Sequence, residues 1–125
     1  MAPTHCVLII DDDAVNRRVA QALFQQLGWE VEAVDSGTRG LLALAARCPD
    51  LVLLDISMPG MHGMDVCQRI RADQTLAGVR VIVYTAHALQ EQQQRFLAGG
   101  FDDVLVEPIS VRAIQALLMA QTPCP

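Results

Sequence analysis

Residues 51–63 read LVLLDISMPGMHG. Four apolar residues in a row, Leu51–Leu54, have no polar alternation, so the strand they form must be covered on both faces. Asp55 ends that strand. Pro59 and Gly60 then form a turn, and a helix is expected over 63–73, with Val66, Cys67 and Ile70 on one side. A strand buried on both faces and followed by a turn and a helix is the repeating unit of a parallel sheet.

The unit recurs in both directions. Upstream, VLII (7–10) is a second doubly apolar strand, ending in Asp11, Asp12 and Asp13. Residues 14–27 carry Val15, Val19, Leu23 and Leu27 at steps of four, predicting a helix with that stripe inward and a stop at Gly28. WEVEAV (29–34) alternates as an edge strand does, and 37–47 predict a helix ended with the help of Pro49. Downstream come VRVIVY (79–84), a polar helix over 87–98 closed by Gly99 and Gly100, VLV (104–106), and a last helix over 110–121. Val111, Ile114, Leu117 and Leu118 are inward in that helix. Five strands alternating with five helices predict an α/β fold, a doubly wound five-stranded parallel sheet of order 2-1-3-4-5. One domain is expected over 1–125, with its core at about 6–120 and a tail or linker at 121–125.

Composition narrows the function. The chain has 125 residues, is 52% apolar with only five aromatic residues, and has a formal charge of −5. Its basic residues are all arginine, and there is no lysine. No basic stripe for nucleic acid is visible, nor an apolar run near the roughly 18 residues of a membrane span, nor a signal peptide. A cytoplasmic location without membrane contact is expected. Cys6, Cys48, Cys67 and Cys124 form no CxxC pair, so neither a zinc site nor a disulfide frame is indicated.

The chemistry collects where the strands end. Asp11 and Asp12, Asp55, Thr85 and Glu107 each follow an apolar strand, and in this architecture those loops share one edge of the sheet. Three carboxylates without a nearby His or Cys are hard oxygen ligands, suited to Mg2+ or Mn2+. A carboxylate can attack phosphorus, and Asp55, alone at the end of a central strand, is the best-placed nucleophile. Asp13 reads as the cap of the first helix rather than a ligand. Tyr84 should face away from Thr85 into packing, and His5, His62 and His87 share no ligand spacing.

The runs VLIIDDD, LVLLDISMPGMHG, VIVYTAHA and GGFDDVLVEPIS resemble the sequential motifs of response-regulator receiver domains of two-component signalling, over about residues 6–120. TAHAL and GGFDDVLVEPIS are most similar to receiver modules of hybrid sensor histidine kinases. The resemblance implies a flavodoxin-like three-layer sandwich acting as a phosphoacceptor in a phosphorelay. In that role Asp55 takes a phosphoryl group from the phosphohistidine of a histidine kinase or histidine phosphotransfer domain. It implies Asp11, Asp12, Asp55 and the backbone carbonyl of Ser57 as metal ligands and Thr85 as the hydroxyl that reports the phosphoryl group. It also implies a docking or self-association surface on the fourth helix, fifth strand and fifth helix, and it leaves open both a stand-alone protein and a cytoplasmic domain of a larger membrane-bound kinase. The module is then not an enzyme beyond self-phosphorylation and dephosphorylation of Asp55. An aspartate-nucleophile phosphatase is disfavoured, since DxDx[TV] is lacking at the nucleophile strand.

Two positions depart from the family. Glu107 stands where receivers carry a lysine, and Val104 where they often carry a switching aromatic. At an effective dielectric of about 20, replacing attraction by repulsion a few ångströms away is worth on the order of several kcal/mol. Val104 cannot rotate between burial and exposure as an aromatic ring can. The expectation is retained metal binding, slow or partner-assisted phosphorylation and altered output. The alternative is a degenerate receiver that binds proteins independently of phosphorylation.

Overall fold

A computed structural model of the chain describes residues 5–56, 62–76, 78–85, 90–106 and 109–120. The elements are β1 (Cys6–Ile10), α1 (Ala14–Gln26), β2 (Glu30–Val34), α2 (Gly37–Ala46), β3 (Leu51–Asp55), α3 (Gly63–Ala72), β4 (Arg80–Thr85), α4 (Gln90–Ala98), β5 (Asp103–Val106) and α5 (Val111–Ala120), with a short 3-10 turn at Gln74–Leu76. The strands are all parallel and ordered β2-β1-β3-β4-β5, as the periodicity predicts.

The three central strands are apolar between their end residues because both their faces are covered. Leu8, Ile10, Val52, Leu54, Val81 and Val83 meet Leu44 of α2 and Val66, Cys67 and Ile70 of α3. On the opposite face Val7, Ile9, Leu51, Leu53, Ile82 and Tyr84 meet Ala20 and Phe24 of α1 and Ile114 and Leu117 of α5. Tyr84 is therefore a packing residue, on the face expected. β2 is an edge strand with its alternate residues exposed. Gly28 closes α1 with φ +86°, a left-handed conformation that costs an unbranched glycine little.

On α1 the inward row is not the one that the spacing predicts. Val15 and Val19 do not line the core: they are 69% and 44% exposed. The buried row is Ala20 and Phe24, with Leu23 and Leu27 at its margin. Both rows have a four-residue step, and the one that faces the sheet carries the phenyl ring, which removes more apolar area from water than two valines at the helix start would. In α5, Ile114 and Leu117 are buried and Leu118 is marginal, while Val111 is half-buried. β3 and β4 each run one residue further than their apolar runs, so Asp55 and Thr85 belong to the strands.

Far from the carboxyl edge, Arg71 fastens several elements. Its guanidinium donates to the carbonyls of Gly100 and Val79, both at 2.8 Å, and to Asp102 Oδ2 at 2.6 Å. Asp102 Oδ2 also accepts from the Val81 N–H at 2.8 Å. Cys6 and Cys67 are buried thiols and Cys48 is exposed and unbridged. Burial pushes the thiols of Cys6 and Cys67 above their ordinary pKa, which keeps them protonated.

Candidate metal and phosphoacceptor site

Register brings the acidic residues together. Ile10 of β1 is paired with Leu54 of β3, so the next residues, Asp11 and Asp55, emerge side by side. The Asp11 N–H still donates to the Val34 carbonyl at 3.1 Å, which holds Asp11 in line with β1 before the chain turns. Asp55 in turn is level with Tyr84, so Thr85 stands one step beyond it at the end of β4. Asp11, Asp12 and Asp55 each offer a carboxylate oxygen, and these oxygens lie within 4.8 Å of one another. The cluster is graded from inside out: Asp11 is 1% exposed, Asp55 half-buried and Asp12 exposed.

Asp11 is the electrostatic centre of the group. Its Oδ1 accepts the Asp13 N–H at 2.9 Å, while its buried Oδ2 has no hydrogen-bond partner. Burial pushes the Asp11 carboxyl above the usual carboxylate pKa, and the charges of Asp12 and Asp13 add to that. The Asp13 N–H and the neighbouring Asp55 carboxyl oppose it. A buried, unpaired carboxylate oxygen next to two further carboxylates is an unfavourable arrangement that one divalent cation would relieve. The donor set is oxygen only, which fits a hard cation such as Mg2+ or Mn2+.

The loop that carries two of these aspartates is held by local capping. Asp13 takes extended backbone angles, and its side chain accepts from the N–H groups of Val15 and Asn16, as expected of a helix cap. Arg17, which the sequence reading passed over, donates from Nη1 to the Asp11 carbonyl at 2.9 Å. Gly63 was also missed. A Cβ on it would stand 2.6 Å from the Asp55 carbonyl oxygen, so α3 can start against β3 only because that position has no side chain. The HG pair before the helical pattern is the one sequence signal that could have marked it. His62 caps α3, its Nδ1 accepting the Met64 N–H at 3.2 Å.

Thr85 is 7% exposed at the same edge. Val104 is half-buried and packs with Phe96 against the core on the α3 side of the sheet. Ser57, Glu107, His87, Cys124 and the Pro59–Gly60 turn lie outside the described residues. Glu91, Gln94 and Arg95 leave α4 mostly solvated, and Leu97 and Val106 are exposed apolar residues on α4 and β5. Among the described residues no helix is long and apolar enough to cross a membrane.

Comparison with known proteins bears on the family and the fold. A family model described as the response regulator receiver domain matches residues 7–119. The sensor protein GacS of Pseudomonas syringae pv. syringae is 34% identical over 119 residues, which are 93% of this chain and 13% of that protein. The DNA-binding response regulator MtrA of Mycobacterium tuberculosis (strain ATCC 25618 / H37Rv) is 33% identical over 115 residues, 92% of this chain and 49% of MtrA. The chain thus spans half or less of the length of these two relatives. Among solved structures, the receiver domain of the sensor histidine kinase PA1611 from Pseudomonas aeruginosa PAO1, with a magnesium ion coordinated in its active site cleft, superposes with a TM-score of 0.85. It is 28% identical and is matched over 94% of this chain and 97% of that one. The chemotaxis protein CheY4 of Vibrio cholerae shares the fold, with a TM-score of 0.88 at 24% identity over 94% of this chain and 98% of that one.

Proposed function

We propose that this chain, which belongs to the response regulator receiver domain family of two-component signalling, accepts a phosphoryl group on Asp55 with the help of a divalent metal ion. The observation that carries the reading is the meeting of Asp11, Asp12 and Asp55 at one edge of the sheet, with Asp11 Oδ2 buried and without a hydrogen-bond partner. Asp11, Asp12 and Asp55 would hold the ion, directly or through water, with the Ser57 backbone carbonyl as a further ligand. Mg2+ is the ion proposed. When bound, it offsets the cluster's negative charge and that of the incoming phosphoryl oxygens.

The residues divide the step among them. An Asp55 carboxylate oxygen attacks phosphorus while the bond from phosphorus to the donor's leaving atom breaks. For a phosphohistidine donor that atom is an imidazole nitrogen, which keeps the bonding pair and stays on the partner. Asp55 then carries an acyl phosphate. Thr85, close by at the end of β4, offers a hydroxyl to one phosphoryl oxygen and so senses the change. The donor is a histidine kinase or histidine phosphotransfer domain. The surface of α4, β5 and α5, with exposed Leu97 and Val106, serves effector docking or self-association, and no direct nucleic-acid contact is proposed.

A second reading, a receiver that binds partners without cycling phosphate, draws on Glu107 and the absence of lysine. Intact-mass measurement after incubation with Mg2+ and a small acyl phosphate decides between them. One phosphoryl group on the wild type and none on Asp55→Asn supports the first. Modification of Glu107→Lys alone supports the second.

A further inference from the structure

The chain has to hold a doubly charged group in a place already rich in carboxylates. With Asp55 phosphorylated, Asp11, Asp12 and the acyl phosphate carry about four negative charges, and a divalent ion offsets about two. This chain has no lysine to take the remainder. Its cationic groups are nine arginines. Arg39, Arg47 and Arg71 are engaged with Asp35, Glu30 and Asp102, away from the cluster.

Arg17 is placed differently. It lies in the first turns of α1, its backbone N–H donating to the Asp13 carbonyl at 2.9 Å. Its Nη1 donates at 2.9 Å to the carbonyl of Asp11, the residue whose carboxylate is the buried member of the metal cluster. Among the described residues the guanidinium makes no ion pair. The bond occupies one of its five N–H donors, and a guanidinium offers the rest in a planar fork that matches phosphate oxygens. The group is half-buried, so its charge is less screened than that of an arginine in open solvent.

We propose that Arg17 is the charge-compensating residue of this receiver: anchored on the Asp11 carbonyl, it offsets negative charge at the site during phosphoryl capture. This rests on Asp55 being the phosphoacceptor. A loop-stapling role alone would be satisfied by the same hydrogen bond, so the test must separate charge from scaffolding.

The full chain is compared as wild type, Arg17→Gln, Arg17→Lys, Glu107→Lys and the double variant Arg17→Gln/Glu107→Lys, with Asp55→Asn as control. The rate of phosphoryl gain from a small acyl phosphate and Mg2+ is read by intact mass, and folding by thermal melting. The expected result is a slowing of about tenfold or more in Arg17→Gln, little change in Arg17→Lys, and a double variant nearly as fast as Glu107→Lys alone. Restoration by a charge placed on another loop is something a mere staple would not show. Equal slowing in both backgrounds, or no slowing at all, overturns the proposal while leaving Asp55 as acceptor. Modification of Glu107→Lys but not of wild type also overturns it, since Arg17 would then be doing nothing for capture. No phosphoryl gain at Asp55 in any variant overturns the phosphoacceptor reading and this proposal with it.

Discussion

Gly63 and Asp55 meet main chain to main chain: a Cβ on Gly63 would come within 2.6 Å of the Asp55 carbonyl oxygen and 2.9 Å of the Ile56 Cα. Neither obstacle can swing aside as a flexible side chain could. Alanine favours a helix over glycine by at most about 1 kcal/mol. Overlap with fixed backbone costs about 1–3 kcal/mol, so it wins. Gly63→Ala is expected to lower unfolding free energy in urea and to weaken Mg2+ binding, because the chain that must give way carries Asp55. Full stability with unaltered metal affinity would contradict the close approach.

Removing the buried charge should help the metal-free protein. Asp11→Asn removes the negative charge of a buried carboxylate that lies beside Asp12 and Asp55, and its amide N–H groups can donate to those neighbours. Its melting temperature without metal should rise above wild type. Saturating Mg2+ should then stabilise wild type, by about 2.7 kcal/mol at a hundredfold excess over Kd, and leave Asp11→Asn nearly unmoved. Melting curves with EDTA and with Mg2+ test both halves.

The pH dependence follows from the direction of the Asp11 shift. Folded Asp11 keeps its proton to higher pH than the unfolded chain does, mainly because it is buried. Below the ordinary carboxylate value of about 3.9 both states are protonated and Asp11 costs nothing. As pH rises from there through the raised folded value, metal-free stability falls relative to Asp11→Asn, and it stays lower above. The Mg2+-dependent gain should grow over the same interval, since the ion needs the ionised carboxylates. Urea midpoints for both proteins across pH 3.5–7.5, with and without Mg2+, are the measurement; a gap between them that is constant with pH would contradict the assignment.

Two substitutions on α1 separate its faces. Val15→Ser, at a position 69% exposed, should change stability by no more than about 0.5 kcal/mol. Phe24→Ala, on the buried row, should cost about 3–5 kcal/mol. Chemical denaturation of the two variants checks it.

The contrast on α1 shows where sequence reading succeeded and where it stopped. Strand order was legible because three strands are apolar without alternation and one alternates, which together with right-handed crossovers favours a parallel sheet with an outer second strand. Asp11, Asp12 and Asp55 were legible because each interrupts such a run. Which of two apolar rows on α1 faces inward was not, because both have helical spacing and tertiary packing decides between them. Asp55 and Thr85 lie within their strands although the apolar runs stop one residue before them, since an apolar run marks where burial ends and not where pairing ends. Arg17 at the Asp11 carbonyl and Gly63 against β3 involve partners made adjacent only by folding, and no local pattern announces them.

The Arg71 fastening has a mechanical consequence. By holding the Gly100 carbonyl just past α4 and, through Asp102, the start of β4, it pins one end of α4 to α3 and to the sheet. A rod fixed at one end can swing but cannot slide. A displacement of α4 that keeps these hydrogen bonds is a tilt about its Gly99–Gly100 end, largest at Gln90. The fastened end lies at the opposite edge of the sheet from the acidic cluster.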